Sequence, residues 1–152
     1  MGRLAMSMVV VLLAVCALPA RASDPDSKAY NLETINALEV RLQQAEPREQ
    51  CYLYAELVHQ MTEVSLRQYS VGEVDKASSL LRKVQEFAQK IHLTVSGKDK
   101  RLKNAELLLR HTAFRLNGLL HASSYDDRAL VAQTLAQVNK ADNAAMMQVF
   151  KQ

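Results

Sequence analysis

Cysteine, proline, glycine and aromatic residues are all scarce in this chain: its 152 residues hold two Cys, three Pro, four Gly, five Tyr, three Phe and no Trp. Two cysteines cannot build a disulfide framework, and no C-x-x-C-H is present to attach haem. Gly72, Gly97 and Gly118 stand alone, so neither a G-x-S-x-G nucleophile elbow nor a Gly-rich phosphate cradle is available. No H-E-x-x-H supplies the paired histidines of a zinc peptidase. Strand-like alternation, Pro-rich linkers and low-complexity tracts are also missing, which leaves helices as the expected element.

Residues 1–22 read as a signal peptide. Arg3 supplies a positive start, Leu4 to Leu18 is apolar apart from Ser7, and Ala20-Arg21-Ala22 is an A-x-A cleavage site. The chain is therefore expected to be exported, periplasmic or secreted, with one helical domain over residues 23–152. The apolar run is shorter than the ~20 residues of a membrane span, and no later stretch approaches that length, so a transmembrane protein is not expected after cleavage. Lipidation at Cys16 would need a small residue where Val15 stands. Of 19 basic residues, Arg3 and Arg21 leave with the leader, and 17 against 16 acidic ones gives a net charge of +1. That balance, together with export, excludes nucleic acid as an expected partner. Cys51 becomes the sole thiol, either buried and inert or free to pair between molecules.

Beyond the leader the apolar period is helical. Leu32, Ile35, Leu38 and Leu42 predict a first helix from about Lys28 to Ala45, and Pro47 ends it while serving as the first residue of the next. Tyr54, Leu57, Val58, Met61 and Val64 mark that second helix, which runs to about Tyr69. Ser70 and Glu73 have the spacing of a capping box around Gly72. Val74, Ala77, Leu81, Val84, Ala88, Ile91 and Val95 form the cleanest stripe, a third helix to about Val95. Leu102, Leu109, Ala113, Leu116 and Leu120 mark a fourth, widened by Leu107, Leu108 and Leu119 and so expected to be the most central. Ser124, with Asp126 and Asp127 behind it, caps a fifth on Val131, Leu135 and Val138. Its continuation from Ala144 to Phe150 is expected to be frayed or a separate last turn.

Short connections between such helices predict an all-α fold, an up-and-down antiparallel bundle of four to five helices with helices one to four forming the core. The alternative is a set of tetratricopeptide-like helical hairpins. Ser65, Gly72, Ala77 and Leu81 fall at that repeat's spacings, so residues 47–95 resemble one copy, although Tyr69 sits one place later than the repeat's aromatic and no second copy appears 34 residues on. The chain after its leader, with its Gly-containing hairpin turn and a Leu-rich helix before an acidic helix start, is also similar to a group of small exported bacterial all-helical proteins; that resemblance implies no activity.

Glu56 and His59 form an E-x-x-H as in carboxylate-bridged di-iron bundles, but Gln89, Leu108 and Gly118 stand three before the other histidines, and the expectation is no metal and no cofactor. His59 lies about 100° past Val58, toward the expected polar side. His111 and His121 are three turns apart and read as boundary and helix-end residues. Lys98, Lys100, Arg101 and Lys103 form a basic run at a helix start, a candidate weak contact for an anionic surface. Met146, Met147, Val149 and Phe150 are candidate interaction residues, either docked on their own bundle or presented to a partner. No catalytic constellation assembles. The sequence predicts a non-catalytic protein that binds another protein or itself, with binding of a small ligand or metal within the bundle as the alternative.

Overall fold

The computed structural model describes residues 30–152, so the signal-peptide reading of residues 1–22 and the question of Cys16 lie outside the described residues. Among the described residues five helices follow one another: α1 (Leu32–Gln44), α2 (Pro47–Ser70), α3 (Val74–Thr94), α4 (Leu102–Ala122) and α5 (Tyr125–Phe150). The fold is an all-α bundle.

Each boundary has a local cause. Asn31 has extended backbone and its side chain accepts from the Thr34 amide at 2.8 Å, so α1 starts at Leu32, later than the apolar period alone suggested. Glu46 is extended before Pro47, as the proline ring requires, and Pro47 opens α2 where its missing N–H costs nothing. The expected capping box at Ser70 and Glu73 does not form. α2 runs on through Ser70, whose hydroxyl donates back to the Arg67 carbonyl, and Gly72 at φ 81 ends it. The Gly72 amide then donates to Tyr69 and the Glu73 amide to Gln68, a Schellman closure that needs the left-handed conformation glycine adopts without strain. Ser124 does cap α5, accepting from the Asp127 amide.

Successive helices alternate in direction, but the neighbours in space are not all neighbours in sequence. α2 pairs with α3 and α4 with α5 as two hairpins; the hairpins stack with α2 against α4 and α3 against α5, while α3 and α4 make no close backbone approach. The stacking is parallel: Arg115 reaches back to Glu63, and Gln85 reaches forward to Thr134. A step of about fifty residues relates the two hairpins. α3 buries Leu81, Val84, Ala88 and Ile91, and α5 buries Val131, Thr134, Val138 and Ala141 at the same three-four-three spacing. α2 buries Ala55 and Thr62, and α4 buries Ala105 and Thr112.

This arrangement corrects three expectations. α5 is a core helix and α1 is the outlying one, docked on α2. The most enclosed helix is α2, not α4, because it alone has α1, α3 and α4 around it. The segment from Ala144 to Phe150 is neither frayed nor separate, since α5 continues through it, with Ala141 and Ala145 fully buried; alanine there lets the helix approach its neighbours closely.

Candidate interaction face on helix α4

Two threonines join the stacked hairpins in the same way. Thr112 gives its hydroxyl proton to the Leu108 carbonyl at 2.7 Å and so accepts from Nδ1 of His59 at 3.1 Å. Thr134 gives its proton to Leu130 at 2.8 Å and accepts from Nε2 of Gln85 at 2.9 Å. With its Nδ1 proton used on Thr112, His59 presents Nε2 to the hydroxyl of Tyr30, 3.5 Å away. The His111 ring lies 5.1 Å from the His59 ring, centroid to centroid. His59 is 5 % exposed, which corrects its expected place on a polar side: α2 is covered on several sides, so the position past Val58 faces α4 rather than water. Glu56 remains half-buried one turn away, and the His59 ring is occupied by structural partners.

The basic run does not act as one unit. Lys100 pairs with Glu49 at 3.0 Å and Glu46 at 3.6 Å, and the Glu49 carboxylate lifts its pKa above the usual lysine range. The Lys98 carbonyl accepts from Nε of Arg48, tying the loop to α2. Arg101, at φ 56, takes the left-handed position before α4 and lays its guanidinium 3.6 Å over the Tyr52 ring. Lys103 is exposed on the first turn of α4. Cys51 lies beneath this corner, buried and unpaired, with its thiol beside the Asp99 carboxylate; burial, with that carboxylate, pushes its pKa up to about 12. A thiol held protonated is a poor nucleophile.

The tail residues divide. Met146 and Val149 are half-buried against the bundle, whereas Met147 and Phe150 face outward. The tail meets the α3–α4 loop, where Gln152 donates to the Gly97 carbonyl.

A broader apolar exposure lies on α4. Leu107 and Phe114 are 57 % and 73 % exposed and sit two turns apart on one face. Lys103 and Arg110 alternate with them, and Arg110 pairs with the buried Glu106. Beside them, Tyr52, Arg101, Asn104, Leu108 and His111 complete a groove of about 380 Å³ with Leu107. The apolar stripe of α4 was expected to include Leu107, and the structure corrects this: the buried line is Ala105, Leu109, Thr112 and Leu116. Phe114 escaped the sequence reading altogether. The signal was present in the four-three-four spacing of Lys103, Leu107, Arg110 and Phe114, half cationic and half apolar, but it could not be told from a stripe margin.

A second concavity, of about 470 Å³, opens where α2 and α4 end, between Leu66, Tyr69, Val74, Leu119 and Ala122, with Arg115 and Asp127 at its rim. Among the described residues, no three His, Cys, Asp or Glu side chains converge as a metal site would need, and no helix is long and apolar enough to cross a membrane. No protein-family description, curated protein or solved structure matches the chain.

Proposed function

We propose that this is an exported, non-catalytic protein that works by binding another protein through the outer face of α4. The supporting observation is the exposure of Leu107 and Phe114 on one face of a helix whose opposite face is fully buried. An outer helix face normally carries polar residues, and a paired Leu and Phe there marks a surface that another molecule covers. Export rests on the sequence of residues 1–22. The non-catalytic reading fits a thiol held protonated, a histidine ring taken up by Thr112 and Tyr30, and basic residues engaged with Glu46, Glu49 and Tyr52.

A photo-crosslinking amino acid at Phe114, expressed in exporting cells, tests this directly. A light-dependent adduct of discrete mass is expected from position 114 and not from Asn139, which is exposed on α5. Absence of an adduct at 114, or the same adduct from both positions, removes the proposal.

A second reading, binding of a small apolar ligand, is favoured by the concavity between Leu66, Tyr69, Val74, Leu119 and Ala122. Filling it with Ala122→Trp would abolish ligand binding while leaving the adduct at position 114 intact.

A further inference from the structure

In the first hairpin, α2 carries Leu53, Leu57, Gln60 and Val64 on one helical line at spacings of four, three and four, and all four are buried. Both ends of that line meet α1. Leu53 shares a small groove with Arg41, and Val64 shares another with Tyr30, Asn31 and Leu32, so α1 lies antiparallel along the line. α1 seats Ile35 and Leu38 fully and Leu42 partly.

The fifty-residue step that superposes the core positions of the two hairpins carries this line onto Lys103, Leu107, Arg110 and Phe114. All four are exposed on α4. Among the described elements α4 packs only on α2 and α5, so nothing on the second hairpin corresponds to α1. The outer face of α4 thus corresponds in position to the face of α2 that α1 covers.

We propose that this face takes an acidic amphipathic helix of another protein, bound antiparallel to α4 as α1 is bound to α2. The inference rests on the protein-binding reading above and names the partner's chemistry. The spacing selects a helix, because apolar residues at i, i+3 and i+7 are what α1 presents with Ile35, Leu38 and Leu42. The charge selects an acidic one. Lys103 lies within the line where α2 has Leu53, and Arg110, which also pairs with Glu106, where α2 has Gln60, with Arg101 beside them. A second copy of the chain packed through its own α4 would bring Arg110 near Arg110 about a two-fold axis, which like charge disfavours. The sharpest difference falls at one position. Arg41 of α1 lies by Leu53, whose counterpart on α4 is Lys103, so the helix that fits α4 carries a carboxylate where α1 carries Arg41.

Two peptides test this against the chain purified from exporting cells: residues 31–45 as they stand, and the same peptide with Arg41→Glu. Fluorescence anisotropy should show one peptide per chain, with the Arg41→Glu peptide bound at least about five-fold more tightly and its advantage shrinking as salt rises. The double variant Leu107→Asp/Phe114→Asp, or Leu107→Ala/Phe114→Ala should the charges unfold the chain, loses both peptides. Failure of both peptides to bind up to about 1 mM, with the crosslink at position 114 intact, overturns the helix partner and leaves the protein-binding reading standing. Equal affinity for the two peptides overturns the acidic preference, and undiminished binding to the double variant overturns the location. Capture by phosphatidylglycerol vesicles that requires Leu107 and Phe114, without peptide binding, assigns the face to a membrane surface and overturns the proposal. Loss of the crosslink with peptide binding retained overturns only the assignment of a cellular protein partner.

Discussion

Arg115 of α4 closes two donors on the carboxylate of Glu63 of α2, Nε to Oε1 at 2.7 Å and the terminal Nη2 to Oε2 at 3.0 Å, so this ion pair fixes α4 against α2 alongside the His59–Thr112 contact. The Glu63 side chain is 12 % exposed and Arg115 43 %. Two parallel N–H···O bonds restrict the relative orientation of the two side chains, which gives this pair directional as well as electrostatic character.

Arg115→Ala leaves the Glu63 carboxylate half-buried without its partner. We expect a loss of about 1–2 kcal/mol, or roughly 4–8 °C in Tm, with Glu63→Gln milder because it buries no unpaired charge. Thermal denaturation by circular dichroism measures both; equal stability of Arg115→Ala and the parent chain would show that the pair does not hold α4 against α2.

Cys51 should resist a thiol reagent in native buffer at pH 8 and react at once when the chain is unfolded. Its folded pKa of about 12 stands above the ordinary thiol value of 9.0. The folded chain therefore holds a proton that the unfolded chain has already released between those values, and stability falls as pH rises through that window. Cys51→Ala should remove that part of the alkaline loss. Rapid native labelling, or a disulfide-linked dimer on a non-reducing gel, would contradict the buried thiol.

Asp142 lies at the α4–α5 contact with Oδ1 lacking a hydrogen-bond partner, and burial, reinforced by the Glu106 carboxylate, raises its pKa despite nearby Arg110. A raised carboxyl pKa contributes stability that is present in acid and lost as pH rises through the folded value. Asp142→Asn should accordingly raise Tm at pH 7, by roughly 1–3 °C, and give no gain near pH 3.5. A gain of the same size at both pH values would show that charge is not the cause.

Truncation after Asp142 removes the buried Ala145 and the half-buried Met146 and Val149. A loss of roughly 2–4 kcal/mol is expected with no change in the mass measured by light scattering, since the tail serves its own bundle. Phe150→Ala alone should change little, because that ring is 82 % exposed. A truncated chain that keeps its stability but loses an association would instead make the tail a contact for a partner.

Helix positions were legible because the cause is local. Leu81, Val84, Ala88 and Ile91 recur at three and four, and that spacing places them on one side of a helix whatever the helix meets. Pro47 and Ser124 mark their boundaries by backbone chemistry that needs no tertiary partner. The position of His59 was not legible. Its angle past Val58 implies a polar side only if a helix buries one face, and α2 is covered from three directions.

Leu57 and Leu107 show where the two kinds of information part. Both are leucines inside amphipathic helices, fifty residues apart and at matching positions of the stacked hairpins. Leu57 is fully buried and Leu107 is 57 % exposed. Local periodicity, a property of the backbone, determined that each stands on a helix and on which line of it. Which lines are covered depended on α1 docking against α2 and not against α4, a choice made by shape and apolar area in the packed fold, and that choice left the second line on α4 open to solvent.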